Sequence, residues 1–474
     1  MGKIIFILIA AIFAIQLIRL PGVKKLPWFF TGILLFPPSL VIIPSPSMPF
    51  PRLMLYILLF VTLFKEKNWI KQFKQFPFKV PLIILFFLLL CVGLFDERLT
   101  LFLQLYRPVT YFLENFFIVF LTFYYVKNIN DGLYVFDFIV KLFLLFAIYG
   151  MLNYVTRNNE YSAYIASLYG THDFANDNMI TGIKRFRVSS FAWHAIYYGY
   201  LVITVLLLET FMFTSLRLPK AKKVFYIIIG VALLINLFLL NSRTPILSLV
   251  VGAFIYITFA IKFTKKIAIV FFTIVIGAGA IFFIPKAQDV MMNTINIFTG
   301  RGNVKEDGSS MSMRQAQLRA SEREFMKNPI SGNGFEYITE GLGYSSEEKD
   351  RKSNKDLQGF ESYYFKLLIE QGILGMVGNL ILFVALIVWL VKQYLKVSTF
   401  GRKVIVFTSA ATAAFLVFIF GTGDMGTFNV FMALLGICIR LVMLNDQRKV
   451  IYYSTVTREV LEPADSIGLS SQSI

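Results

Sequence analysis

Apolar stretches of about 16–22 residues, each closed by Lys, Arg or Pro, repeat along most of the chain. This is the length a helix needs to cross a ~30 Å hydrocarbon layer. The pattern predicts helices near residues 4–18, 27–45, 50–64, 80–95, 108–126, 132–153, 191–213, 224–241, 244–262, 267–284, 364–391, 403–421 and 427–443. Pro37 and Pro38 lie inside the second of these and predict a kink there. Two polar stretches interrupt the pattern, Arg157–Ser190 and Pro285–Glu361. The expected fold is therefore all-α: a polytopic membrane helix bundle of about 12–13 transmembrane helices, with a large extracytoplasmic loop containing short helices. Its expected divisions are 1–153, N-terminal helices; 154–190, a first outer loop; 191–284, central helices; 285–362, the large outer loop; 363–443, C-terminal helices; and 444–474, a disordered cytoplasmic tail. No internal repeat is visible, and both long loops fall beyond the first third, which speaks against the duplicated halves of many transporters.

Composition agrees: 57% of the 474 residues are hydrophobic and mean hydropathy is +0.67. The net charge of +18 does not point to nucleic acid. Acids and bases roughly balance in the large loop, and the basic excess sits in short connections such as Lys65–Lys79 and Arg217–Lys223. Those connections, with Lys24/Lys25, Lys127, Lys262–Lys266 and Lys392–Lys403, fall on one side, as the positive-inside rule requires. That side is cytoplasmic. The N-terminus, Asp96–Arg107, Arg157–Ser190, Asn241–Arg243, Pro285–Glu361 and Gly421–Thr427 then lie outside. The first helix is followed rather than preceded by positive charge and is expected to be retained. Cys91 and Cys438 both fall in predicted helices and read as small apolar residues.

Within the large loop, Ser312–Lys327 has helix-forming composition and is stopped by Pro329, Gly332 and Gly334. Arg319 and Arg323 stand one turn apart on it. They read either as the charged face of a helix lying on the membrane, paired with Glu322 and Glu324, or as contacts to an anionic substrate. Inside the predicted spans, Asp137 and Lys141 are spaced to pair on one helix. Glu114 lies near the outer end of its helix and reads either as an interhelical hydrogen-bonding group or as part of a site; Glu209 lies near an inner end and is expected to snorkel. His172 reads as solvated and His194, among apolar neighbours, as structural. No Walker loop, nucleotide fingerprint or His/Cys metal spacing is present, so no cofactor or metal is expected.

Five segments occur in a telling order: Arg187-Val-Ser-Ser-Phe with His194 soon after; Asn241-Ser-Arg-Thr-Pro; Arg314; Pro329-Ile-Ser-Gly-Asn-Gly-Phe; and Glu361-Ser-Tyr-Tyr-Phe leading to Gln371-Gly-Ile-Leu-Gly. From about Phe186 to Leu390 this order resembles the O-antigen ligase and polymerase superfamily of bacterial envelope polysaccharide enzymes. Ligases of that superfamily have a His where this chain has Phe360-Glu361-Ser362, so the resemblance is closer to O-antigen polymerase. It implies a polyprenyl-pyrophosphate-linked oligosaccharide donor at the outer face of the bacterial cytoplasmic (inner) membrane. It also implies membrane lipids, a flippase and a chain-length regulator as partners. Arg187, Arg243 and Arg314 are the expected pyrophosphate contacts, because a guanidinium is permanently charged and bidentate toward phosphate. Glu361 is the expected general base for the acceptor hydroxyl, with helix capping as its plain structural alternative. His194, Arg319 and Glu114 are secondary candidates. The alternatives are an O-antigen ligase acting on lipid A core, an oligosaccharyltransferase acting on protein, and a transporter or flippase for lipid-linked sugars.

Overall fold

The computed structural model describes residues 2–43, 47–171, 173, 175–176, 186–240, 242–260, 309–341, 362–423, 426–446 and 462–463. It is a polytopic all-α membrane bundle. Eight described helices are long and apolar enough to span a membrane: α1 (Gly2–Arg19), α8 (Ile129–Thr156), α10 (Ala195–Ser215), α11 (Lys220–Leu239), α12 (Arg243–Ala260), α14 (Tyr363–Tyr394), α15 (Thr399–Gly421) and α16, from Thr427. A ninth span is formed by α4 (Trp69–Gln75) and α5 (Lys79–Leu94), if the pair, bent by 99°, is taken as one. Helices α10 and α16 are each 78% buried over their apolar windows and form the centre, whereas α1 and α12 are 22% buried and sit at the rim. Aromatic side chains lock the middle, with the Phe415 and Phe431 rings stacked at 4.1 Å.

Several expected boundaries are corrected. The helix expected over 27–45 is α2 (Lys25–Leu35), and it ends rather than kinks. Phe36 is already extended (ψ 125°), since a following proline disfavours helical backbone, and Pro37-Pro38 lead into a small hairpin of β1 (Val41–Ile43) and β2 (Met48–Pro49). α3 (Phe50–Lys65) follows the hairpin. The helix expected from residue 108 begins at Leu101: α6 (Leu101–Phe112) passes through a π-helical turn, Leu113–Phe117, into α7 (Ile118–Tyr125). The outer connection expected at Asp96–Arg107 is therefore only 95–100. The expected helix 267–284 lies outside the described residues. Of the stretch after Asp446, Glu462–Pro463 is described, as β4 pairing with β3 (Leu216–Arg217); the rest of the expected tail lies outside the described residues.

The intramembrane charges are paired more widely than their spacing implied. Asp137 meets Lys141 at 2.8 Å, as expected, and also Lys222 of α11 at 2.7 Å, so it ties two helices together. Glu209 does not snorkel. It is buried against Gly230 of α11, whose missing Cβ makes the room, and its Oε2 has no hydrogen-bond partner among the described residues. Cys91 is exposed on the bundle surface and Cys438 buried; neither is in a disulfide.

A candidate active site at the outer ends of the helices

The large loop is joined to the membrane bundle by backbone. Helix α14 breaks at Gly372, whose φ of 59° and ψ of −155° lie outside the helical region. A break strands two carbonyls and two N–H groups that a helix would pair internally, and these must find partners. The turn Pro329–Gly334 supplies all four. Asn333 N donates to Ile369 O (2.8 Å), Gly334 N to Glu370 O (2.9 Å), Ile373 N to Pro329 O (2.9 Å) and Leu374 N to Ile330 O (3.0 Å). Contact this close excludes a Cβ: one built on Gly372 would lie 2.4 Å from Gly332 N. The glycines of both segments are thus explained by one contact that neither segment reveals alone. The buried Asn333 side chain reinforces it, donating to Glu324 O and Ile369 O.

Charges then tie the loop to α6. Gly334 adopts φ +94°, and a Cβ there would fall 1.8 Å from Asp96 Oδ2. Asp96 is buried and accepts two bonds from Arg98, from Nε at 2.9 Å and Nη2 at 2.7 Å. Arg107 donates to Phe335 O (3.0 Å) and pairs with Glu340 (2.8 Å) and Glu336 (3.5 Å). The Arg107 hydrogen bond holds the Glu340 carboxyl below the usual range. Before this turn, α13 (Ser309–Phe325) buries Gln317, Ala320, Ser321 and Glu324 and exposes Leu318, Arg319, Glu322 and Arg323. Burial raises the pKa of Glu324, but hydrogen bonds from Lys327 and Tyr337 outweigh it and hold the group below its ordinary value.

The second wall comes from the central helices. Asn159, fully buried, donates to Ser189 Oγ (2.7 Å) and Ser190 O (2.6 Å), and Ser190 Oγ donates to Phe146 O (2.7 Å). This network fixes the extended segment carrying Arg187, which is half-buried. His194 caps α10, its Nδ1 accepting from Ile196 N at 3.1 Å. Arg243 is the first residue of α12, exposed, and has no ion-pair partner among the described residues. Gly199 of α10 abuts Pro245 of α12, and Gly421 of α15 abuts Thr244, so these helix ends share one surface.

Tyr363 joins the two walls. Its N–H donates to Thr422 O (3.1 Å), and its hydroxyl lies 3.1 Å from that of Tyr111 and 3.3 Å from Asn379 Oδ1. Glu361 is two residues before it and lies outside the described residues, as do His172 and the side chain of Arg314. Arg314 itself is on α13. His194 and Arg243 thus stand at the starts of two packed helices, α10 and α12, and Thr244 abuts Gly421 next to Thr422, whose carbonyl accepts from Tyr363 at the start of α14. Arg319 is exposed on α13. Glu114 lies on the other wall, where the guanidinium of Arg52 reaches it at 2.5 Å and the Tyr56 hydroxyl donates to it at 3.1 Å.

Glu370, Asp96, Arg98, Arg107, Arg52 and Tyr56 were not singled out by sequence. Gly372, in the middle of an apolar run, was the one available signal, since glycine inside a span marks a break or a close backbone approach.

Two comparisons with known proteins bear on this surface. No curated protein matches the chain. Residues 228–380 match a family model described as O-Antigen ligase. The matched span runs from α11 into α14 and contains Arg243, α13, the Pro329–Gly334 turn and the Gly372 break that receives it. Across residues 228–380, the chain carries a domain of the O-antigen ligase/polymerase superfamily of polytopic membrane proteins.

Proposed function

We propose that the protein is a membrane glycosyltransferase that polymerises polyprenyl-pyrophosphate-linked oligosaccharide repeat units into O-antigen or a related surface polysaccharide. It would act on the outer face of the bacterial cytoplasmic membrane. The observation that most supports this reading is the joining of two superfamily segments, Pro329–Gly334 and Ile369–Leu374, by four backbone hydrogen bonds at the break in α14. A lipid-linked donor has its tail in the bilayer, its pyrophosphate at the interface and its sugars in water, which matches a polar surface built on helix ends.

In the reaction, an acceptor hydroxyl attacks the anomeric carbon of the donor sugar. The bond from that carbon to the phosphate oxygen breaks, and its electron pair leaves on the pyrophosphate. Arg243, Arg187 and Arg314 would stabilise the charge that develops there. Glu361 would take the proton of the attacking hydroxyl. Polymerase is favoured over ligase because Glu361 stands where ligases have a His, and because the described His194 has its Nδ1 committed to capping α10.

The test is the polysaccharide ladder of a deletion strain complemented with variants. Arg243→Ala and Arg314→Ala are expected to abolish polymer while the protein stays in the membrane. Wild-type chain lengths from both variants overturn the site. Glu361→Gln is expected to cut polymerisation strongly; near-normal activity would leave Glu361 a helix-capping residue. Single-unit capping of the lipid core in the deletion strain supports a polymerase. Loss of all capping, with lipid-linked polymer accumulating, identifies a ligase, and unaltered glycolipid returns the transporter and protein-glycosylation readings.

A further inference from the structure

The Arg52–Glu114–Tyr56 cluster is not explained by the chemistry above. It lies on the opposite side of Tyr363 from Arg243, and it is assembled from helices far apart in sequence. Glu114 sits in the π-helical turn Leu113–Phe117, where one residue is squeezed into the helix, a distortion frequent at functional sites. Arg52 is near the outer end of α3, with Nε 2.5 Å from Glu114 Oε1 and Nη2 3.2 Å from Oε2; the Tyr56 hydroxyl donates to Oε1 at 3.1 Å. A pair that served only to fasten two helices would be expected to close over itself. Here the Arg52 and Glu114 side chains keep 28% and 24% of their surface exposed, so the pair stays within reach of a ligand. Aromatic groups lie close by: Tyr106 is within electrostatic reach of Arg52, and Tyr111 stands one turn before Glu114 on the same helical segment. On the loop side, the segment Phe335–Glu340, tied down by Arg107, brings Glu336 within electrostatic reach of Glu114.

An open carboxylate held by a guanidinium, beside aromatic rings, is the chemistry that recognises a pyranose. The carboxylate accepts from sugar hydroxyls, the guanidinium donates to their oxygens, and the ring faces cover C–H surface. We propose that this cluster is the subsite for the acceptor sugar, with Glu114 and Arg52 holding its hydroxyls, Tyr56 positioning the Glu114 carboxylate, and the donor pyrophosphate on the far side of Tyr363. The inference rests on the glycosyltransferase reading above and adds to it a place for the second substrate.

The test uses full-length protein in lipid nanodiscs. The donor is lipid-linked repeat unit from the producing strain, and the acceptor is the oligosaccharide released from the same pool by mild acid. Glu114→Gln and Tyr56→Phe are expected to raise the acceptor KM by about tenfold or more, the size of a lost hydrogen bond to a charged group, with the donor KM unchanged. Tyr56→Phe keeps the ion pair, and the uncharged pair Arg52→Met with Glu114→Met leaves no buried charge alone, so both remain informative if Glu114→Gln folds poorly. A purely structural pair would lower thermal stability and leave the acceptor KM unmoved; that result in Tyr56→Phe and in the uncharged pair overturns the subsite. Wild-type protein that transfers nothing overturns the polymerase reading instead. In that case, saturation-transfer NMR showing the released oligosaccharide bound to wild type and not to Glu114→Gln still supports the subsite.

Discussion

The two walls of the outer surface use arginine in opposite ways. On the N-terminal wall, Arg52, Arg98 and Arg107 each face a carboxylate: Glu114, Asp96, and Glu336 with Glu340. On the central wall, Arg243 stands exposed at the start of α12 with no carboxylate in ion-pair reach among the described residues. A guanidinium already satisfied by a carboxylate has little left to offer a pyrophosphate, and removing either partner exposes the other. A guanidinium without an internal partner is available to an incoming anion. The first wall therefore spends its arginines on its own carboxylates and on holding the loop, and the second keeps the Arg243 guanidinium open to an anion.

The largest effect that could break this contrast is on rate. Arg243→Ala is expected to lower polymerisation by about 10²–10³ with little change in melting temperature, the pattern of a lost transition-state contact. A substantial fall in melting temperature would show instead that Arg243 is a structural arginine like those opposite. Next is Gly334→Ala, which forces a Cβ to within 1.8 Å of Asp96 Oδ2 at a φ of +94°. It is expected to destabilise loop docking by roughly 2–3 kcal/mol, seen as faster limited proteolysis of the loop. Unchanged protection would mean that the loop does not need that contact. Arg107→Ala is smaller, about 1–2 kcal/mol, because its partners Glu336 and Glu340 are 62% and 48% exposed and can regain water. It should loosen the loop without the rate loss of Arg243→Ala; equal rate losses would erase the distinction between the walls.

The smallest effect is on pH dependence. Glu340 and Glu324 both have folded pKa values below their ordinary ones. A depressed carboxyl contributes stability that is present above its unfolded pKa and lost as pH falls through the folded value. Protease resistance of the loop should therefore be flat from about pH 8 to 5 and decline only below about 4. Glu340 is nearly half exposed, so its share is under about 1 kcal/mol. A decline between pH 5 and 7 would implicate a different group.

Much of the bundle was legible because membrane spans are local: the apolar length criterion acts on each segment by itself. It located α1, α8, α10, α11, α12, α14, α15 and α16 to within a few residues. It overextended α2, where Pro37 and Pro38 ended the helix, and it started α6 late, because Leu101, Phe102 and Leu105 lie among polar residues and read as loop. The placement of Arg243 at a helix start followed from chain order alone, whereas His194, expected inside a helix, turned out to cap one. The partners of Glu114 did not, since Arg52 lies 62 residues away in sequence. Glu370 was also missed: it is one turn after Lys366 and reads as an ordinary helical acid, yet it is buried and its carboxylate accepts from Ile338 N across the break.

What the sequence by itself determined was a polytopic helical membrane bundle, the order of the superfamily segments and the chemistry available in them. Those follow from hydropathy, charge and spacing, which need no partner. Only the tertiary structure decided which arginines are already neutralised, why Gly332, Gly334 and Gly372 are glycine, and that Tyr363 stands between an acid-rich wall and a cationic one. Each of these depends on groups tens to hundreds of residues apart meeting at hydrogen-bond distance. Such meetings are set by how the helix ends pack, and no periodicity along the chain records them.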